Sequence, residues 1–168
     1  MAGPVSVLFV CLGNICRSPT AEAVFRQQAA KAGWGSMVSA DSAGMANYHV
    51  GKAPDSRSCK HASLRGYDLS ALRARQLEAA DFGRFDLVLA MDGAVLEALR
   101  KLQSPDSAAR AEVGLFLDHL PGHEGRDVPD PYYGGADGFE QVLDLVEAAS
   151  TALLRKLLKQ QGVFGCGC

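Results

Sequence analysis

Val5 to Val10 is apolar apart from Ser6 and leads through Cys11-Leu12-Gly13-Asn14-Ile15-Cys16-Arg17-Ser18-Pro19 into a helix-like stretch, Thr20 to Lys31. A continuous apolar run of this length reads as a strand covered on both faces. Such a strand needs helices above and below it, which commits the chain to a layered α/β architecture. The remaining sequence keeps the alternation. Met37 to Ser42, Phe85 to Met91 and Val113 to Leu117 read as strands. Asp55 to Leu64 reads as a helix after Pro54, and Asp92 to Leu102 as another, with Val95, Leu96, Leu99 and Leu102 on one face. Phe139 to Gln160 is a long final helix with apolar residues at near-helical spacing. The pattern predicts a parallel sheet with helices on both faces. Ligands in such sheets bind beyond the carboxyl ends of the strands, where the Cys11–Ser18 loop falls. The 168 residues are expected to form a single domain, with 162–168 as a loose tail.

The loop has the chemistry of an anion pocket beside a nucleophile. Gly13 and Asn14 are residue types that tolerate positive φ, and such a loop can turn successive N–H groups inward. Ser18 is a favoured N-cap, and Pro19 is favoured at the first helical position. The helix that follows would aim its free N–H groups and positive dipole end at the same anion. The planar fork of Arg17 can grip two phosphate oxygens. The same field favours the thiolate of Cys11. Spacing alone is weak, because Cys59 and Arg65 repeat it. The intervening Lys60-His61-Ala62-Ser63-Leu64 has no glycine and follows no strand-like run, so it reads as one side of a helix.

Composition narrows the alternatives. A hydrophobic content of 48% and a charged content of 21% are ordinary for a globular chain. A net charge of −2 gives no reason to expect nucleic-acid binding. No apolar run approaches the ~20 residues of a membrane span, and the N-terminal residues lack signal-peptide regions. Five cysteines, two of them in one loop, suit a reducing compartment, so the cytoplasm is expected. The four histidines have no partners at ligand spacing and read as surface or hydrogen-bonded residues. No metal or organic cofactor is expected.

Cleavage of a phosphate ester also needs a proton donor for the leaving oxygen. Asp130 in Val128-Pro129-Asp130-Pro131-Tyr132-Tyr133-Gly134-Gly135 is the candidate. The flanking prolines stiffen the segment and bias it away from helix. Partial shielding by the two tyrosines would help the carboxyl hold its proton. Taken alone, the segment also reads as a plain turn in which the aspartate accepts local backbone bonds.

Together these segments resemble the low-molecular-weight protein tyrosine phosphatases. The resemblance rests on Val7 to Glu22, on Asp41-Ser42-Ala43, on Val50 to Asp55 and on Asp130-Pro131-Tyr132. It implies a flavodoxin-like three-layer sandwich with a four-stranded parallel sheet. It implies a monomer that acts on phosphotyrosine in proteins and on small aryl phosphates through a phosphocysteine intermediate. In that scheme Cys11 is the nucleophile and Asp130 the acid and then the base. The loop from Leu12 through Ser18, with Arg17, holds the phosphate. Ser18 donates to the sulfur, and Asn14, Ser18 and Ser42 brace the loop. Tyr48, Tyr132 and Tyr133 wall the substrate slot. Cys16 matches a second loop cysteine that can pair with the nucleophile under oxidation.

Two departures stand out. Many relatives carry histidines where this chain has Arg65 and Ala71, and the second of those histidines helps brace the loop. The tail Cys166-Gly167-Cys168 falls outside the family pattern. Competing activities on the same fold are arsenate reduction and protein arginine phosphatase activity. The first needs a cysteine relay that Cys16, Cys59, Cys166 and Cys168 do not convincingly supply. The second tends to go with threonine where this chain has Ile15. A non-catalytic phosphate-binding module is disfavoured by the joint presence of Cys11, Arg17 and Asp130.

Overall fold

The computed structural model describes residues 4–103, 110–132 and 134–162. Tyr133, Cys166 and Cys168 therefore lie outside the described residues. Four strands, β1 (Val5–Cys11), β2 (Val38–Gly44), β3 (Leu87–Ala90) and β4 (Glu112–Leu115), form one parallel sheet in the order β2-β1-β3-β4. This is the strand order of flavodoxin-like folds. The helices are α1 (Arg17–Lys31), α2 (Ser56–Leu64), the single turn α3 (Asp81–Arg84), α4 (Gly93–Leu102) and α5 (Ala136–Gln160). None of the described helices is long and apolar enough to cross a membrane.

The period of two in β1 sorts its side chains onto two cores. Val7, Phe9 and Cys11 join the cluster that holds Val24 and Phe25 of α1 and Val142, Val146 and Leu153 of α5. Leu8 and Val10 join the opposite cluster with Val95 and Leu99 of α4 and Phe82 of α3. Val7 through Val10 are fully buried, which is why this strand reads as continuously apolar. Phe9 anchors the larger core. Its ring meets Phe25 at 5.7 Å and Phe116 at 5.0 Å, edge-on in both cases, the favoured arrangement of aromatic quadrupoles.

Element ends differ from the sequence expectation for local reasons. The strand expected from Phe85 begins at Leu87; just before it, Asp86 donates its N–H to the Ser6 carbonyl at 2.9 Å and accepts the Ser6 N–H through its carboxylate at 2.9 Å. The run Val113 to Leu117 divides into β4 and a 3₁₀ turn, Phe116–His119, whose Phe116 and Leu117 are buried as they would be in a strand. Helices α2 and α4 begin one residue later than expected, because Asp55 and Asp92 serve as N-caps and accept the N–H groups of Arg57 and Val95, each at 2.8 Å. The turn α3 was not anticipated. It is organised by the buried Asp81 carboxylate, which accepts the Glu78 N–H at 2.8 Å and pairs with Arg75 at 3.0 Å. Arg65, where the resemblance leads one to expect a histidine, ties the end of α2 to α5. It pairs with Glu140 at 2.8 Å and Asp144 at 2.9 Å, and also with Glu147.

Phe9→Ala removes the ring on which both neighbouring rings pack. The expected loss is about 3–5 kcal/mol of unfolding free energy, read from urea denaturation. A loss below about 1 kcal/mol would show that the core closes around the gap.

Candidate active site

Strand β1 ends at Cys11, opposite Gly44 of β2. The carbonyls of the following loop point away from its concave side. Those of Cys11 and Leu12 accept the N–H groups of Met45 (3.0 Å) and Ala46 (2.9 Å), and that of Ile15 accepts from Asp55 at 2.8 Å. With the carbonyls engaged outside, the N–H groups of Gly13, Ile15 and Cys16 have no protein acceptor among the described residues. The chain thus forms an N–H-lined cradle of the kind that binds anions. Asn14, at φ 59°, is the one non-glycine residue in the left-handed region among the described residues. Gly13, expected to share that conformation, does not. Its missing Cβ instead admits the ring of His49, whose Cδ2 would lie 2.8 Å from an added carbon.

The Cys11 sulfur is 3% exposed at residue level. It receives the Asn14 N–H at 3.2 Å and lies 3.0 Å from the Ser18 hydroxyl. The expected capping role of Ser18 is corrected. Helix α1 starts at Arg17, Cys16 occupies the N-cap position without a side-chain bond, and Ser18 sits inside the first turn. Its hydroxyl turns to the sulfur instead of back onto the helix.

Behind the loop lies a buried polar network. Asn14 Oδ1 accepts the Arg75 backbone N–H at 2.9 Å, and its Nδ2 donates to Ser18 at 2.8 Å and to Ser42 at 3.0 Å. Ser42 donates to Glu22 at 2.7 Å. Burial pushes the Glu22 carboxyl above its ordinary range, against the opposing pull of the Ser42 bond and Arg26. Arg75 is itself held between Asp41 at 3.1 Å and Asp81 at 3.0 Å. The bracing donor is therefore a backbone N–H, and Ala71 takes no part in the network. Asn14 thus joins Ser42 and Ser18 through its amide, and the side chains of Asn14 and Ser18 stay behind the cleft.

The Arg17 guanidinium is almost completely buried, and its fork is already aimed. Nη1 donates to Asp92 at 2.7 Å and to the Val128 carbonyl at 3.0 Å, while Nη2 lies 3.7 Å from Asp130. Burial opposes its charge, but the Cys11 sulfur and Asp92 outweigh that cost and hold Arg17 more firmly protonated than usual. Val128 is anchored in turn by its N–H to the Met91 carbonyl at 2.7 Å. Asp92 was missed in the sequence. The available signal was its place directly after β3, at the carboxyl end of the sheet.

These groups open onto a cleft of about 290 Å³. Cys11, Gly13 and Arg17 line it, with Leu12 and Ile15 as apolar loop side chains. Tyr48, Tyr132, Asp130 and His49 complete the lining. Tyr48 is 59% exposed and Leu12 46%. The structure thus brings together every expected slot residue within the described part of the chain. The Asp130 side chain is 42% exposed, and its Oδ1 accepts the Tyr132 N–H at 3.0 Å. His49, read as an ordinary histidine, packs edge-on to Tyr48 at 4.5 Å with a buried, unpartnered Nδ1. No spacing rule flags it. Cys16 also lines the cleft, and burial pushes its thiol up to about 12 despite a bond with Ser58.

Comparison with known proteins places this geometry. The profile of the low molecular weight phosphotyrosine protein phosphatase family matches residues 6–163. A low molecular weight protein-tyrosine-phosphatase of Streptomyces coelicolor is 49% identical over 156 residues, covering 92% of this chain and 94% of the relative. The crystal structure of a protein tyrosine phosphatase from Entamoeba histolytica, with Hepes in its active site, aligns with a TM-score of 0.86. It is 37% identical and is covered over 94% of this chain and 99% of its own. The Drosophila arginine phosphatase aligns with a TM-score of 0.83 at 29% identity, over 89% of this chain and 96% of its own.

Gly44 is where β2 crowds the cradle. A Cβ there would sit 2.9 Å from the Leu12 carbonyl oxygen and 3.0 Å from the Gly13 carbonyl carbon. Backbone cannot yield as a flexible side chain does, so Gly44→Ala is expected to cost about 1–3 kcal/mol of stability. It should also weaken vanadate binding about tenfold, since the N–H groups it displaces are the anion donors. Vanadate titration and urea unfolding check both effects, and wild-type values in both would show that the loop absorbs the crowding.

Proposed function

The chain belongs to the low molecular weight phosphotyrosine protein phosphatase family, a family of hydrolases, and on that premise we propose that it hydrolyses phosphotyrosine in proteins through a phosphocysteine intermediate. The observation that carries this reading is the convergence of Cys11, Arg17 and Asp130 on one cleft. The N–H cradle and Arg17 bind the dianion and hold its equatorial oxygens, where charge accumulates in the transition state. The Cys11 thiolate attacks phosphorus. The bond to the aryl oxygen breaks, and Asp130 passes its proton to the departing phenolate. Asp130, now a carboxylate, takes a proton from water as that water attacks phosphorus. The P–S bond then breaks, and the sulfur leaves as thiolate, stabilised by the Ser18 hydroxyl at 3.0 Å.

Substrate class follows from the walls. Leu12, Ile15 and Tyr48 offer apolar surface to a phenyl ring. A guanidino group would bury its N–H donors against Ile15 without acceptors, a cost the planar apolar ring avoids. The Drosophila arginine phosphatase shares the fold, so phosphoarginine is the informative competitor. A panel of phosphotyrosine, phosphoarginine and phosphoserine peptides, with arsenate reduction as a control, tests the assignment. Phosphotyrosine should lead, and a preference for phosphoarginine would overturn the substrate assignment.

Two variants test the mechanism. Cys11→Ser should abolish turnover of para-nitrophenyl phosphate while inorganic phosphate still binds, and residual turnover near wild type would refute the nucleophile. Asp130→Ala should slow aryl phosphate cleavage by about 10²–10⁴. A loss below about tenfold would assign the proton to another donor.

A further inference from the structure

Glu22 is 3% exposed on α1, behind the cradle and outside the cleft, and no step of the proposed reaction uses it. Buried carboxylates are costly unless paired and hydrogen-bonded. Among the described residues Glu22 has two partners: the Ser42 hydroxyl at 2.7 Å on Oε1 and Arg26 at 2.9 Å on Oε2. Arg26 is half-exposed and also donates to the Ala40 carbonyl at 2.6 Å, so its hold on the protein does not depend on Glu22.

The direction of every bond in the network can be assigned. A backbone N–H only donates, so the Arg75 N–H fixes which end of the Asn14 amide is oxygen. Both hydrogens of Nδ2 are then committed, one to Ser18 and one to Ser42. Each serine accepts one of them and keeps a single hydrogen to give. That of Ser42 goes to Glu22, and that of Ser18 is left facing the Cys11 sulfur at 3.0 Å. A carboxylate only accepts, so Ser42 cannot turn its hydrogen toward Asn14 while Glu22 is ionised.

We propose that Glu22 is a positioning residue whose carboxylate, acting through Ser42 and Asn14, keeps the Ser18 hydroxyl donating to the Cys11 sulfur. Arg75 anchors the oxygen end of the Asn14 amide, and Glu22 anchors the nitrogen end. Without the Glu22 acceptor, the buried Ser42 hydroxyl competes with Nδ2 for the same space. The amide then loses one of its anchors, and Ser18 loses the donor that sets its direction. The inference rests on the phosphocysteine reading, because the donated hydrogen matters most when sulfur leaves phosphorus. The effect therefore falls on breakdown of the intermediate more than on capture of the substrate.

The test is acid-quench trapping of phosphoenzyme together with steady-state kinetics on para-nitrophenyl phosphate. Glu22→Ala should lower kcat about tenfold, the size of a lost hydrogen bond to a charged group. KM should not rise, and the trapped phosphoenzyme fraction should rise above wild type. Glu22→Gln, which still offers Ser42 an acceptor oxygen, should restore kcat to within about threefold of wild type. Arg26→Ala removes the other Glu22 partner and should leave kcat within about twofold. Should Glu22→Ala fail to fold, Glu22→Asp, one methylene short of Ser42, carries the same expectation. Wild-type kcat and phosphoenzyme levels in the Glu22 variants would overturn the inference, as would an equal loss in Arg26→Ala. Absence of trapped phosphoenzyme in the wild type would instead overturn the phosphocysteine reading itself.

Discussion

Asn14 sits in a backbone conformation that side chains rarely adopt, and its own amide holds it there. Left-handed backbone costs a non-glycine residue about 1–2 kcal/mol. Three side-chain bonds, to Arg75, Ser18 and Ser42, offset that cost. The turn at φ 59° lets the loop face its carbonyls outward to Met45, Ala46 and Asp55. Its amide hydrogens are left around the Cys11 sulfur. Cradle, nucleophile and helix start therefore depend on one asparagine side chain being satisfied on every side.

Charge placement adds a second layer. Arg17 is buried between Asp92 and the Val128 carbonyl, so its orientation is set before any anion arrives. Preorganised donors of this kind cost no reorganisation at the moment of reaction. Asp130 lies on the open side, near enough to sense Arg17 at 3.7 Å yet 42% exposed. Nη1 of the guanidinium is fixed by protein, and Nη2 lies on the side of Asp130 and the cleft.

The strand–loop–helix opening was legible because burial on both faces leaves an uninterrupted apolar run, and Val7 through Val10 are fully buried. The cleft residues were legible because residue type and chemistry coincide there. Helix starts were legible to within a residue where an aspartate caps, as at Asp55 and Asp92. The start of α1 was not, since Ser18 has the composition of a cap but answers to the sulfur. The division of Val113 to Leu117 was also hidden, because a 3₁₀ turn can bury apolar residues as a strand does. Asp92 and His49 reach the site only through the sheet's topology, and the Arg75 contact is made by a backbone N–H that no side-chain pattern encodes.

Val128 joins the sheet through its N–H to Met91 and the arginine through its carbonyl, two residues before Asp130. Arg17, held also by Asp92, and Asp130 thus share a tether at Val128. Because both backbone groups of Val128 are engaged, Asp130 is placed relative to Arg17 by a run of only three residues.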